Sequence, residues 1–132
     1  MERLFTLEEA QALLDAELRA LAERMVSLSR DGRRAERQWQ RHVIAVAGNG
    51  GGMEPRSVQA LADDLRRMRD ELAELVQQVT EHGVQVKDTD RGLLDFPARM
   101  NGEPALLCWQ AGEERIGFWH TPEDGFAGRR PL

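Results

Sequence analysis

The sequence predicts an α+β protein in which a long antiparallel coiled-coil helical hairpin is followed by a small antiparallel β-sheet. Apolar residues follow a heptad period through the first part of the chain, a glycine-rich segment divides that part into two, and strict alternation begins after Gly83. The 132 residues are expected to form a single domain, residues 1–132. In this domain residues 6–83 form the hairpin, 84–121 the sheet and 122–132 an irregular C-terminal tail.

The first helix is predicted from Leu7 to Ala47. It begins with a capping box, Thr6-Leu7-Glu8-Glu9, in which the side chains of Thr6 and Glu9 satisfy each other's backbone amides. The helix has two apolar stripes. The first consists of Leu7, Leu14, Leu21, Leu28, Ala35 and His42. The second consists of Gln11, Leu18, Met25, Gly32, Trp39 and Val46. Gly32 is the expected position of a kink, because glycine disfavours a helix interior.

The second helix is predicted to start near Pro55 and to end at Gly83, a natural C-cap. Residues 48–54 form the loop between the helices, which is short enough to make them antiparallel. The second seam consists of Val58, Leu61, Leu65, Met68, Leu72, Leu75 and Val79. Because helical hairpins often pair into four-helix bundles, we expect a homodimer.

Three to four strands are predicted after the hairpin. They cover residues 84–86, 92–100, 105–110 and 115–121, and Asn101-Gly102 is a strong hairpin turn signal. Pro97 suits an edge or a bulge of the second strand.

Pairing these strands on paper places Asp95 opposite Cys108, and a four-residue turn at 111–114 then places Cys108 opposite Gly117. One face of the sheet would hold Leu94, Phe96, Leu107, Trp109, Ile116, Phe118 and His120, and the other Leu93, Asp95, Leu106, Cys108, Gly117 and Trp119. The first face is the expected core. On the second, a carboxylate between apolar groups beside a glycine suits a shallow pocket, although Asp95 could instead face solvent or cap an amide of the tail.

His120 is the residue best suited to be a ligand or a base. The carboxylates of Asp88, Asp90, Glu113 and Glu114 could provide further oxygen ligands nearby. The sequence has no two-histidine spacing, no HExxH motif and no cysteine pair, so Asp90 and His120 remain only weak metal candidates. A nucleophilic Cys108 would need His120 as its base, and the expected pairing puts them on opposite faces. We therefore predict no catalytic residue, and the sequence leaves the cofactor unknown.

Composition excludes several functional classes. The net charge of −5 argues against a dedicated nucleic-acid binder. A local basic stripe on the first helix (Arg30, Arg33, Arg34, Arg37 and Arg41) is interrupted by acids and is read as a solvated face. The single cysteine forms no intramolecular disulfide. The N-terminus lacks a signal-peptide pattern and the longest apolar run, Val43 to Ala47, is too short for a membrane span, so a cytoplasmic protein is expected.

Motifs spread over the whole chain resemble a prokaryotic family, domain of unknown function 2203. They are Phe5-Thr6-Leu7-Glu8-Glu9-Ala10, Val86-Lys87-Asp88, Asp90-Arg91-Gly92-Leu93, Asp95-Phe96-Pro97, Leu107-Cys108-Trp109, Gly112-Glu113, Phe118-Trp119-His120, Gly125-Phe126-Ala127-Gly128-Arg129 and Pro131-Leu132. The resemblance implies a helical hairpin followed by a signature-bearing β segment, and it implies no activity, substrate or cofactor. One departure is Asp15, which follows Leu13-Leu14 where the family pattern has proline. Because proline would kink a helix there, its absence leaves open whether the first helix bends near Asp15 or near Gly32.

Two functional hypotheses follow. The favoured one is a non-enzymatic interaction or scaffold module. It binds a protein, either itself or another, through the β cap, which is the predicted sheet (residues 84–121) with its tail. Its contact residues would be of types enriched at binding hot spots: Trp109, Trp119, Phe126 and Arg129. The alternative is a small-ligand- or metal-binding protein, which could be an enzyme. Its pocket, at the junction of sheet and helices, would be lined by Asp88, Asp90, Asp95 and His120.

Overall fold

The computed structural model describes residues 2–49 and 55–132, with side chains for 2–44 and 56–132. Helix α1 (Leu7–Leu13), a π-helical turn (Leu14–Leu18) and α2 (Arg19–Asn49) follow one another without a break, and α3 spans Pro55–Glu81. The five strands are β1 (Gln85–Asp88), β2 (Leu93–Met100), β3 (Glu103–Gln110), β4 (Phe118–His120) and β5 (Arg130–Pro131). The fold is therefore the predicted α+β arrangement of helical hairpin and antiparallel sheet.

The helical hairpin starts at the predicted capping box, in which the Thr6 hydroxyl accepts from the Glu9 amide at 3.1 Å. The seam residues Leu14, Leu18, Met25, Leu28, Leu75 and Val79 are buried. Glu71 on α3 accepts hydrogen bonds from Arg24 on α2. The predicted loop 48–54 lies outside the described residues except for its first two, which are the last two of α2. Within the described residues, no helix combines the length and apolarity needed to cross a membrane.

The irregularity of the first helix lies near Asp15, one of the two positions that the sequence left open, and not at Gly32. Gly32 lies inside α2, and the departure from α-helical geometry is the π-helical turn at Leu14–Leu18. That turn contains Asp15. A π turn of this kind adds one residue to a helical turn and changes the direction of the side chains that follow it.

We expect Gly32→Ala to stabilise the protein by about 1 kcal/mol, because alanine is favoured over glycine inside a helix by about that amount. A Cβ built on Gly32 meets no atom within 4 Å. Gly92→Ala is the control of opposite sign, because Gly92 has φ +60° and its Cβ would lie 2.7 Å from the Cβ of Ala111. Urea unfolding measures the free energy of unfolding of both variants. A Gly32→Ala protein that is less stable than the unmodified protein would contradict the prediction.

The sheet is an antiparallel meander in the order β1-β2-β3-β4-β5. Asn101 and Gly102 both have positive φ, as the predicted tight turn between β2 and β3 requires. The carbonyl of Pro97 accepts from the amide of Phe5 at 2.7 Å, so the N-terminal segment continues the edge of the sheet beyond β1. One sheet face packs on the helices through Leu94, Phe96, Leu107 and Trp109, which belong to the main core.

The predicted pairing of β3 with β4 is wrong by one residue. Cys108 lies opposite Phe118, not Gly117, and Leu106 lies opposite His120. Trp119 therefore packs against the core, whereas Phe118 and His120 share the outer face with Asp95 and Cys108. The connection between β3 and β4 is a longer loop held by the helices: Arg19 donates to the carbonyls of Glu113 and Glu114 at 3.1 and 2.9 Å.

Candidate functional site

Three adjacent strands bring Asp95, Cys108 and His120 together on the outer face of the sheet. Asp95 on β2 lies directly opposite Cys108 on β3, as predicted, and His120 comes from β4. One potential ligand atom from each of the three residues lies within 4.8 Å of the others. All three residues are buried. The expectation that His120 and Cys108 lie on opposite faces is wrong because of the register of β4.

Both ring nitrogens of His120 have partners. Nδ1 lies 2.7 Å from the carbonyl oxygen of Thr121, and Nε2 lies 2.9 Å from Oδ2 of Asp95. Because a carbonyl oxygen only accepts hydrogen bonds, Nδ1 carries a hydrogen. The contact between Nε2 and Oδ2 then contains one further proton, on either the imidazole or the carboxyl group. The tautomer and the orientation of the ring are fixed by the backbone.

Two buried polar atoms beside this pair have no hydrogen-bond partner among the described residues. They are Oδ1 of Asp95 and Nε of Arg129. A buried carboxylate oxygen without a donor costs free energy, so each such atom in a native site calls for a partner such as a water or an ion.

The thiol of Cys108 is not in an environment that activates a nucleophile. Burial, followed by the negative charge of Asp95, raises the pKa of its thiol to about 12. The thiol is therefore protonated at neutral pH, whereas nucleophilic cysteines have a lowered pKa. His120 also has no free ring nitrogen with which to take the thiol proton. The predicted reason, a placement of Cys108 and His120 on opposite faces, is wrong, and the absence of a catalytic residue stays a prediction.

Arg129 covers this site from the C-terminal tail (residues 122–132). Its guanidinium carbon lies 3.8 Å from the ring centroid of Phe118 and 4.8 Å from that of Phe126. Its Nη2 donates to Oε2 of Glu113 at 2.7 Å, while Oε1 of Glu113 accepts from the amide of Gln110 at 2.7 Å. The positive charge of Arg129 lies close enough to Cys108 to oppose the rise of the thiol pKa.

The other predicted site residues lie elsewhere. Trp109 is buried in the core on the opposite sheet face, and Trp119 is half-buried against that core. Oδ1 of Asp88 accepts from the amide of Asp90 in the turn between β1 and β2. Asp90 pairs with Arg33 on α2 at 3.1 Å, beside a groove of about 250 Å³ between helices and sheet. The expected pocket at the junction of sheet and helices thus contains Asp90 but neither Asp95 nor His120.

Sequence reasoning named Arg129 and Glu113 without predicting their ion pair, and it missed the carbonyl of Thr121 altogether. The only signal for the pair is the resemblance, whose motifs include both Gly112-Glu113 and the segment ending at Arg129. A backbone carbonyl has no signature in a sequence.

A family model described as "Uncharacterized conserved protein (DUF2203)" matches residues 3–132. The chain belongs to this family. The site is therefore a feature of a DUF2203 protein, and all three of its residues lie inside the matched region. No curated protein and no solved structure matched the chain.

Proposed function

We propose that this DUF2203 protein binds one divalent transition-metal ion of the zinc class through Asp95, Cys108 and His120. The observation that carries the proposal is the convergence of a carboxylate oxygen, a sulfur and an imidazole nitrogen within 4.8 Å of one another in a buried position. Zinc binds these three donor types at about 2.0–2.3 Å in tetrahedral geometry, so two ligands of one ion lie about 3.3–3.8 Å apart. Side-chain movements of about 1 Å would close the site around an ion.

The unpartnered oxygen of Asp95 supports a bound cation. Oδ1 is buried without a donor, and a metal ion would provide the missing positive partner. In the absence of the ion, the described hydrogen-bonding neighbours of this carboxyl group are His120 and the thiol of Cys108. Buried carboxylates are normally paired or bound to a metal.

The second hydrogen bond of His120 also fits a metal ligand. Histidines that bind a metal through one nitrogen usually donate the other N–H to a carboxylate or a backbone carbonyl. Here Nδ1 donates to the carbonyl of Thr121 at 2.7 Å. This bond holds Nε2 as the nitrogen that faces Asp95 and is available to an ion.

The charge balance favours a divalent ion. Without metal, the Cys108 thiol carries one proton and the Asp95–His120 pair shares another. Binding of a divalent cation with release of these two protons leaves the net charge of the buried site unchanged. The ion pair of Arg129 and Glu113 is neutral in both states. Metal sites with thiol ligands release protons in this way.

The test is a titration of chelator-treated protein with Zn²⁺ and with Co²⁺, followed by native mass spectrometry of the untagged chain. We expect one ion per chain and a thiolate-to-cobalt charge-transfer absorption. Asp95→Asn, Cys108→Ser and His120→Gln should each weaken binding by about 100-fold or more, because each removes one of only three ligands.

Matched controls change the same residue types elsewhere. Asp90→Asn removes a carboxylate that pairs with Arg33, and His82→Gln removes an imidazole that pairs with Glu17. Both should bind metal like the unmodified protein. The proposal is overturned if no stoichiometric ion binds, or if the site variants bind as tightly as the controls.

The interaction module predicted from the sequence has less support from this geometry. Trp109 is fully buried, and Phe126 and Arg129 are half-buried on the tail. These side chains therefore do not form an open aromatic surface on the β cap. The homodimer and the protein partner remain predictions, and the same native mass spectra measure the oligomeric state.

A further inference from the structure

The three candidate ligands are buried, so an ion reaches them only when part of the protein moves aside. Asp95 is 1% exposed, Cys108 0% and His120 2%. They lie on β2, β3 and β4, whose backbone pairing holds the site together. The moving part therefore has to cover the outer face of the sheet and to open without separating these strands.

The C-terminal tail (residues 122–132) covers this face. Phe118 lies opposite Cys108, and the guanidinium carbon of Arg129 lies 3.8 Å from the centre of the Phe118 ring. The ring of Phe126 contacts two guanidinium groups, that of Arg129 at 4.8 Å and that of Arg91 at 4.2 Å. Because Arg91 immediately precedes β2, the tail reaches from β4 across the sheet to the start of β2.

The tail is held by few buried contacts. None of its residues, all of which the structure describes, is buried, whereas most residues of β2 and β3 are. Its attachments are the two residues of β5, the hydrogen bond from the amide of Leu132 to the carbonyl of Gly117, the aromatic contacts of Arg129 and the ion pair of Arg129 with Glu113. Segments with few buried contacts open locally at a free energy well below that of global unfolding.

We propose that the tail is a lid that opens locally, and that metal ions enter and leave the site of Asp95, Cys108 and His120 while it is open. The role in metal entry rests on the proposed function, whereas the opening itself can be measured without metal. The lid begins at Pro122, after the last ligand and after the carbonyl of Thr121 that orients the imidazole. Opening therefore uncovers the three ligands and leaves them in place.

Cys108, the single cysteine of the chain, reports on the lid in the metal-free protein. Mass spectrometry follows its alkylation by iodoacetamide in the presence of a chelator. We expect Phe126→Ala to raise the alkylation rate about tenfold, because it removes two contacts between a guanidinium and an aromatic ring. Val79→Ala, the control, creates a cavity in the core on the other side of the sheet and should leave the rate within about twofold. Low concentrations of urea should hardly change the rate, because a local opening exposes little surface.

Zinc exchange tests the role of the lid in metal entry. Phe126→Ala should speed both the binding of Zn²⁺ and its release to an excess of EDTA by about tenfold. The dissociation constant is the ratio of the two rate constants and should stay within about threefold of that of the unmodified protein. Glu113→Gln, which removes the charge that pairs with Arg129, should act in the same direction.

The outcomes separate the two proposals. Equal alkylation rates in Phe126→Ala and the unmodified protein overturn the lid, as does an equally large acceleration in Val79→Ala. Faster alkylation of Phe126→Ala without faster zinc exchange overturns the role of the lid in metal entry. If no stoichiometric ion binds, the proposed function fails together with that role, and the alkylation rates still decide whether the tail opens. If Phe126→Ala does not fold, Glu113→Gln takes its place in both measurements.

Discussion

His120→Leu is expected to lower the free energy of unfolding of the metal-free protein by about 3–5 kcal/mol. Nε2 of His120 lies 2.9 Å from Oδ2 of the Asp95 carboxyl group, and both side chains are 2% exposed. Removal of His120 leaves this buried carboxyl group without its imidazole partner, and loss of one member of a buried pair costs about that much. A change to leucine keeps an apolar side chain of similar size in place of the imidazole.

The double variant Asp95→Val/His120→Leu separates the cost of a broken pair from the value of the pair. Replacement of both partners by apolar side chains is often neutral or stabilising, because no charge then stays buried. We therefore expect the double variant to recover most of the stability that His120→Leu loses. Urea unfolding in the presence of a chelator measures all four proteins of the cycle.

A double variant as unstable as the sum of its single variants would contradict this account. It would mean that the pair contributes only through packing. The expected strong coupling would instead show that most of the loss in His120→Leu comes from the buried carboxyl group of Asp95 left without its imidazole partner.

The sequence predicts the helices well because each helix follows from local patterns. The seam of apolar residues at heptad spacing requires two long helices, and the capping box starts the first of them at the observed residue. By contrast β5, Arg130–Pro131, was not predicted, because two residues carry no alternation. Its place in the sheet depends on pairing with Phe118 and Trp119.

The sequence predicts one part of the candidate site, the pairing of Asp95 with Cys108, but not the position of His120 beside them. Asn101-Gly102 is a turn whose type sets the register of its strands, so the pairing of Asp95 with Cys108 follows from the sequence. The register of β4 follows from the loop before it. That loop is positioned by Arg19 and by Gln11, which accepts from the amide of Ile116 at 2.9 Å. Contacts between residues so distant in the chain have no local signature, and the resulting slip of one residue placed His120 on the wrong face of the predicted sheet.

Trp109→Ala is expected to destabilise the protein by about 3–5 kcal/mol, the range for loss of a large buried aromatic side chain. Trp109 is fully buried where the sheet meets the helices, and Arg19 lies over its ring at 5.5 Å. Its Nε1 donates to the carbonyl of Glu113 at 2.9 Å. The variant therefore creates a cavity and also releases a bond that holds the loop between β3 and β4.

Trp109→Phe separates these two effects. Phenylalanine keeps most of the apolar volume and loses the hydrogen bond, whose net contribution is about 0.5–1.5 kcal/mol, together with a modest packing cost. Far-UV circular dichroism during urea unfolding measures both variants without relying on tryptophan fluorescence. Equal losses in the two variants would mean that the bond to Glu113, rather than burial, dominates. A loss below about 2 kcal/mol in Trp109→Ala would contradict the placement of this side chain in the core.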